Sequence, residues 1–94
     1  MNIIIAGGGK VGVSLARQLT AEGHDITLID SDDRVLEESK KRMDILSIHG
    51  NCASMPTLLQ AGVRDAQLLI AATSEDEVNL LCCTTAHGIN PQIH

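Results

Sequence analysis

Ile3-Ile4-Ile5-Ala6-Gly7-Gly8-Gly9-Lys10-Val11-Gly12 is the stretch on which the reading of this 94-residue chain turns. Asn2 to Ala6 is a short, nearly continuous apolar run, and isoleucine favours a strand. Gly7 to Gly12 satisfies G-x-G-x-x-G. From Val11 the period changes, and Val11, Leu15, Leu19 and Ala16 share one helical face. The order is therefore strand, glycine turn, helix. Gly7 permits the tight turn out of the strand, Gly9 lets a pyrophosphate approach the backbone, and Gly12 lets the helix pack close to the sheet. The free N–H groups and positive dipole end of that helix would face a diphosphate.

Working outward, strands and helices keep alternating. Gly23 reads as the stop of the first helix. A second strand covers Ile26 to Ile29 and ends at Asp30. Ser31 or Asp32 caps a second helix whose inner side is Val35, Leu36, Ser39 and Met43. Ile45 to Ile48 is a third strand, followed by a polar turn from His49 to Ser54. Ser54 and Pro56 open a short helix carrying Leu58 and Leu59 and closed by Gly62. Leu68 to Ala72 is a fourth strand. Ser74-Glu75-Asp76-Glu77 matches a capping box before Val78 to His87, with Gly88 as the stop. Pro91 and Ile93 open a fifth strand, inside which the chain stops. The expected fold class is α/β: a Rossmann-like, doubly wound parallel sheet in three α/β/α layers, truncated in strand five. One domain, residues 1–94, is expected, incomplete at its C-terminus.

The composition agrees. With ten Ile, eleven Leu, five Val and no aromatic residue, the core must be aliphatic, as in buried parallel strands. A 44% hydrophobic content excludes a disordered acidic tail. No apolar run reaches the roughly 20 residues of a membrane span, and no signal-peptide pattern opens the chain. Net charge is −5, and the only basic cluster, Lys40, Lys41 and Arg42, follows Glu37 and Glu38. That is a solvated helix face, not a phosphate-tracking stripe, so no nucleic-acid partner is expected. Cys52, Cys82 and Cys83 form neither a disulfide framework nor a zinc pattern. No metal site is read, and a reducing compartment fits.

The candidate binding residues are Gly7, Gly8, Gly9, Lys10, Val11, Gly12, Asp30, Asn51, Cys52, Thr73 and Ser74. Asp30 follows Gly12 by close to the roughly 20 residues expected of the acid that bonds a ribose. A carboxylate there repels a 2′-phosphate, so NAD is favoured over NADP. Asn51, Cys52, Thr73 and Ser74 stand at the carboxyl edge of strands three and four. Asn51 and Thr73 could bond adenine or ribose, Asn51 could equally close its own turn, and Ser74 reads first as a helix cap. Lys10 is a candidate phosphate counter-charge or a solvated lysine. His24, His49, His87 and His94 are scattered, and no catalytic set appears.

The chain resembles the TrkA-N (RCK/KTN) family, the regulatory nucleotide-binding domains of potassium transport systems. The resemblance spans the chain. It rests on Ile3 to Gly12, Leu28-Ile29-Asp30, Gly50-Asn51-Cys52-Ala53-Ser54, Leu58 to Val63, and above all Ala71-Ala72-Thr73-Ser74-Glu75-Asp76-Glu77-Val78-Asn79. Asn51-Cys52 stands where the family more commonly has Asp-Ala. The resemblance implies NAD(H), or ATP or ADP, at the glycine turn and Asp30. It also implies a non-enzymatic regulatory subunit in the cytoplasm, peripheral to the inner face of the cell membrane and partnered with a membrane-embedded potassium transporter subunit. Two other functions compete: an NAD-dependent oxidoreductase fragment lacking its substrate domain, and a dimerisation module with a vestigial nucleotide site. Finally, helix 75–87 is apolar over much of its circumference, so a homo-oligomer through this helix is expected.

Overall fold

The computed structural model describes residues 1–94. Strands β1 (Asn2–Ala6), β2 (Asp25–Asp30), β3 (Leu46–His49) and β4 (Leu68–Ala71) alternate with helices α1 (Lys10–Ala21), α2 (Asp33–Arg42), α3 (Met55–Gln60) and α4 (Asp76–Ile89). The strands form one parallel sheet in the order β3-β2-β1-β4. β1 is central, pairing Ile5 with Leu28 on one side and with Ile70 on the other. Its side chains are buried on both faces, which is why it reads as a continuous apolar run.

Alternation along β1 divides the core in two. Ile3 and Ile5 join Ala16, Ile26, Leu28 and Leu36 beneath α1 and α2. Ile4 and Ala6 join Ile29, Leu58, Val63, Cys82 and Ala86 beneath α3 and α4. The molecule is thus a three-layer, Rossmann-like α/β/α sandwich. After β1 the chain winds outward to β2 and β3, then returns to place β4 on β1's other side. The strand order therefore reverses between β1 and β4, and a crevice opens at their carboxyl ends. No helix is long and apolar enough to cross a membrane.

Several boundaries differ from the sequence expectations for visible reasons. β3 runs from Leu46 to His49, one residue later than expected, because its ladder with β2 carries on to Asp30 opposite His49. β4 stops at Ala71, although Ala72 N still donates to Ala6 O. Asp32, not Ser31, caps α2, its carboxylate accepting from Arg34 N. That bond and the Arg34 guanidinium lower the Asp32 pKa.

The capping box before α4 does not form. Glu75 is the N-cap residue and makes no side-chain cap bond, because Thr73 and Asn79 organise this turn instead. Gly88 lies within α4 rather than stopping it. The helix ends at Asn90, whose amide group donates to the Val63 and Ala66 carbonyls, and Pro91 follows. Pro91 does not open a strand. Residues 91 and 92 turn, and only His94 joins the sheet, with Leu69 N donating to His94 O and His94 N to Gln67 O. α4 buries Cys82 and Ala86 while Leu80 and Leu81 remain 68% and 56% exposed.

Candidate functional site

The glycine turn is built by close contacts, each of which excludes a larger residue. Gly7 leaves β1 with φ +109°, and a Cβ on it would lie 2.8 Å from the Ala72 and Thr73 backbone. A Cβ on Gly12 would sit 1.8 Å from the Gly7 carbonyl oxygen. The Gly12 contact the sequence predicts with the sheet is therefore tighter still: the helix backbone rests on the turn itself. A Cβ on Gly8 would press into Val35 Cγ1, whereas one on Gly9 would meet nothing within 4 Å. The open position is the one through which the sequence reading lets a phosphate approach.

Hydrogen bonding leaves the start of α1 available. Gly7 N donates to Ile29 O at 2.8 Å and Gly8 N to Asp30 Oδ2 at 2.6 Å. The first helical bond runs from Val13 N to Gly9 O, and no side chain caps this helix. The amides of Gly9, Lys10, Val11 and Gly12 therefore have no partner, the usual condition of a helix N-terminus that accepts an anion. The Gly8 amide, expected to face the ligand, belongs to Asp30 instead.

Asp30 ends β2 and faces the turn. Its Oδ2 accepts from Gly8 N, and its Oδ1 accepts from Asp32 N at 2.8 Å. The carboxylate thus ties the glycine turn to the start of α2. An ionised carboxylate offers about four acceptor positions, so capacity remains for sugar hydroxyls.

The other two strand ends complete the walls. Asn51 Oδ1 accepts from Ala53 N at 2.9 Å, closing its own turn, the second of the two roles its position allows. Cys52 is 5% exposed at the edge of the cleft. Hydrogen bonding from the Cys82 thiol pulls the Cys52 pKa down to about 7, against burial and the Asp30 charge, which raise it. The thiol of Cys82, fully buried, is pushed up by the Cys52 thiol and by burial. Replacing Cys82 with Ala removes that donor, so the pH profile of Cys52 alkylation, read by mass spectrometry, is expected to move to higher pH. Thr73 is committed within its turn. Its hydroxyl donates to Asn79 Oδ1 at 2.6 Å and accepts from Glu75 N at 3.3 Å.

These segments enclose a cleft of about 610 Å³ at the carboxyl edge of the sheet. Gly7, Gly8, Gly9, Asp30, Asn51, Cys52, Thr73 and Ser74 all line it. Gly12 lies behind the turn, Val11 points to solvent at 64% exposure, and Lys10 borders a shallow groove with Arg17. The charged residues on the lining are Asp30, Asp32 and Glu75, all acidic. A bound phosphate would therefore be met by backbone amides and the α1 dipole rather than by a side-chain cation. Sequence reasoning missed Val35, which pins Gly8, and Val78, which faces the cleft from α4. Both carry only the ordinary signal of apolar helix positions.

Over 89 residues the chain is 46% identical to the Trk system potassium uptake protein TrkA of Halomonas elongata, covering 95% of this chain and 20% of that protein. It thus spans about a fifth of that relative's length. The AMP-bound Kef C-terminal domain of Shewanella denitrificans superposes with a TM-score of 0.83 at 29% identity, over 99% of this chain and 55% of that one. The TrkA-N domain of inner membrane protein ybaL from Escherichia coli shares the fold, with a TM-score of 0.91 at 22% identity over 99% of this chain and 68% of that one. The TrkA-N domain model matches residues 3–94, nearly the whole sandwich with its glycine turn, and the chain belongs to the TrkA-N domain family.

Proposed function

We propose that this chain is a nucleotide-binding regulatory domain of a potassium uptake system, taking NAD(H), or ATP or ADP, in the cleft between β1 and β4. The observation that carries the reading is the uncapped start of α1, whose first amides have no partner, next to a glycine turn held by the Asp30 carboxylate through Gly8 N. Together they suit a phosphate joined to a ribose, the unit common to all four ligands. The AMP held by the Kef relative is that same unit. The acidic end of β2 opposes a 2′-phosphate, which favours NAD over NADP.

The role is regulatory rather than catalytic. The lining offers acids, hydroxyls, apolar side chains and the single thiol of Cys52, and no histidine to serve as its base. A nucleotide acts here by binding one conformation better than another, and a coupling of about 1–3 kcal/mol is typical. The name of the Halomonas relative supports a membrane potassium transporter as the responding partner. The domain then sits peripherally on the cytoplasmic side and assembles with a second copy through the exposed α4 residues Leu80 and Leu81. Incubation of the chain with NADH and carbonyl substrates is expected to give no turnover, as a regulatory domain requires.

Gly9→Ala tests the site. Its Cβ meets no protein atom within 4 Å, so stability should fall by no more than about 1 kcal/mol, the scale of an N-cap change. The methyl group would occupy the phosphate's approach, so affinity for ATP and NADH is expected to fall about tenfold or more, a loss of about 1.4 kcal/mol or more. Equal affinity in both chains would place the phosphate elsewhere.

A further inference from the structure

Asn79 does not line the cleft, yet it fixes one of its walls. Its Oδ1 accepts from Thr73 N at 3.0 Å and from Thr73 Oγ1 at 2.6 Å, and its Nδ2 donates to Thr73 O at 3.2 Å. One side-chain amide thus engages the amide, the carbonyl and the hydroxyl of a single residue. That residue stands just past the end of β4, where Ala72 N makes the last ladder bond to Ala6 O at 2.7 Å.

Helix capping does not explain these bonds. Asn79 lies inside α4, and its own amide donates to Glu75 O. Its side chain reaches backward to a turn outside the helix and satisfies none of the helix's unpaired amides. Asparagine is a weak helix former, so this position favours the turn rather than the helix. The turn it holds is the one packed on the glycine loop, since a Cβ on Gly7 would meet the Ala72 carbonyl and Thr73 N at 2.8 Å. Asn79 thus holds Thr73 in the wall that Ala72, Thr73 and Ser74 form beside the glycine turn.

We propose that Asn79 is a positioning residue for the bound nucleotide, holding the β4–α4 turn at the distance from the glycine turn that binding requires. This rests on the nucleotide reading above. It links the cleft to α4, because the group that sets the wall is a side chain of the helix carrying Leu80 and Leu81.

The test is calorimetric titration of the unaltered chain, Asn79→Ala, Thr73→Ala and the double variant with ATP and with NADH. Asn79→Ala is expected to bind about tenfold more weakly, on the scale of one to two net hydrogen bonds. The double variant should bind scarcely more weakly than Asn79→Ala alone, because the Thr73 Oγ1–Asn79 Oδ1 bond that Thr73→Ala removes is already lost in Asn79→Ala. In the ligand-free protein the Thr73 amide should lose hydrogen-exchange protection in Asn79→Ala. Losses that add, or an Asn79→Ala chain that binds as tightly as the unaltered one, overturn the proposal.

Should Asn79→Ala fail to fold, Asn79→Asp carries the test. It keeps both acceptor bonds and sets an oxygen against the Thr73 carbonyl in place of the donor, so weaker binding supports the proposal and unchanged binding overturns it. An unaltered chain that binds neither nucleotide removes the nucleotide reading and the role of Asn79 together. Binding by the unaltered chain with no loss in the variants removes the positioning role alone.

Discussion

Gly12→Ala is expected to be the most destabilising single-methyl change in the glycine turn. The added carbon would lie 1.8 Å from the Gly7 carbonyl oxygen and 2.9 Å from its carbon. Both are backbone atoms in a turn held by Gly7 N on Ile29 O and Gly8 N on Asp30, so no flexible side chain can move aside. Relief requires α1 to lift from the sheet, opening the contacts of Ala16 with Ile3 and Ile5. Overpacking of this kind costs about 3 kcal/mol, and more where the backbone is rigid. That is a large part of the roughly 5–15 kcal/mol that holds a domain together. Thermal unfolding should show a Tm lowered by about 12–24 °C. A Tm within a few degrees of the unaltered chain would mean that α1 does not rest on Gly7 as described.

Asp30→Ala is expected to have the largest effect on binding. The carboxylate has two tasks. It holds Gly8 N and Asp32 N, which fixes the turn against α2, and under the proposed function its remaining acceptor positions take the ribose. Hydrogen bonds to a charged group are worth about 1.5–3 kcal/mol each, so losing two to the sugar weakens binding about a hundredfold or more. The fold should survive at lower stability, because these amides lie at the rim of a water-filled cleft and are only part-buried. The measurement is a titration with NADH and ATP alongside thermal melts of both chains. A weakened melt with intact binding would reduce Asp30 to a structural brace.

The sequence carried most of this architecture because the local signals agreed with one another. Ile3 to Ala6 are apolar on both faces, and only a central parallel strand buries both. Gly7 and Gly12 announced the turn, since their positions tolerate no Cβ. Asp30 was readable from its spacing alone. What failed was local chemistry that depends on distant partners. Ser74 to Glu77 has the composition of a capping box, yet Thr73 is claimed by Asn79 from within the helix, which places Glu75 at the cap. Gly88 resembles a stop, but α4 continues until Asn90 reaches the carbonyls of Val63 and Ala66 across the fold. Asp30's hold on the Gly8 amide was equally hidden, because it forms only once β2 lies beside β1.

Acidic lining gives the cleft a particular electrostatic character. Asp30, Asp32 and Glu75 surround it, while Lys10 and Arg17 lie outside. Under the proposed function phosphate binding would depend on amides aimed by the backbone, and deforming the turn is expected to abolish it even if every charge is kept. Glycine substitutions are therefore informative beside Asp30→Ala.

The most direct measurement of the central claim is a calorimetric titration of the unaltered chain with NAD, NADH, ATP and ADP, beside Asp30→Ala. The account predicts that at least one of the four binds the unaltered chain with a Kd below about 1 mM, or −4.1 kcal/mol, and that Asp30→Ala all but abolishes it. No binding by any of the four, or equal binding by both chains, would contradict it.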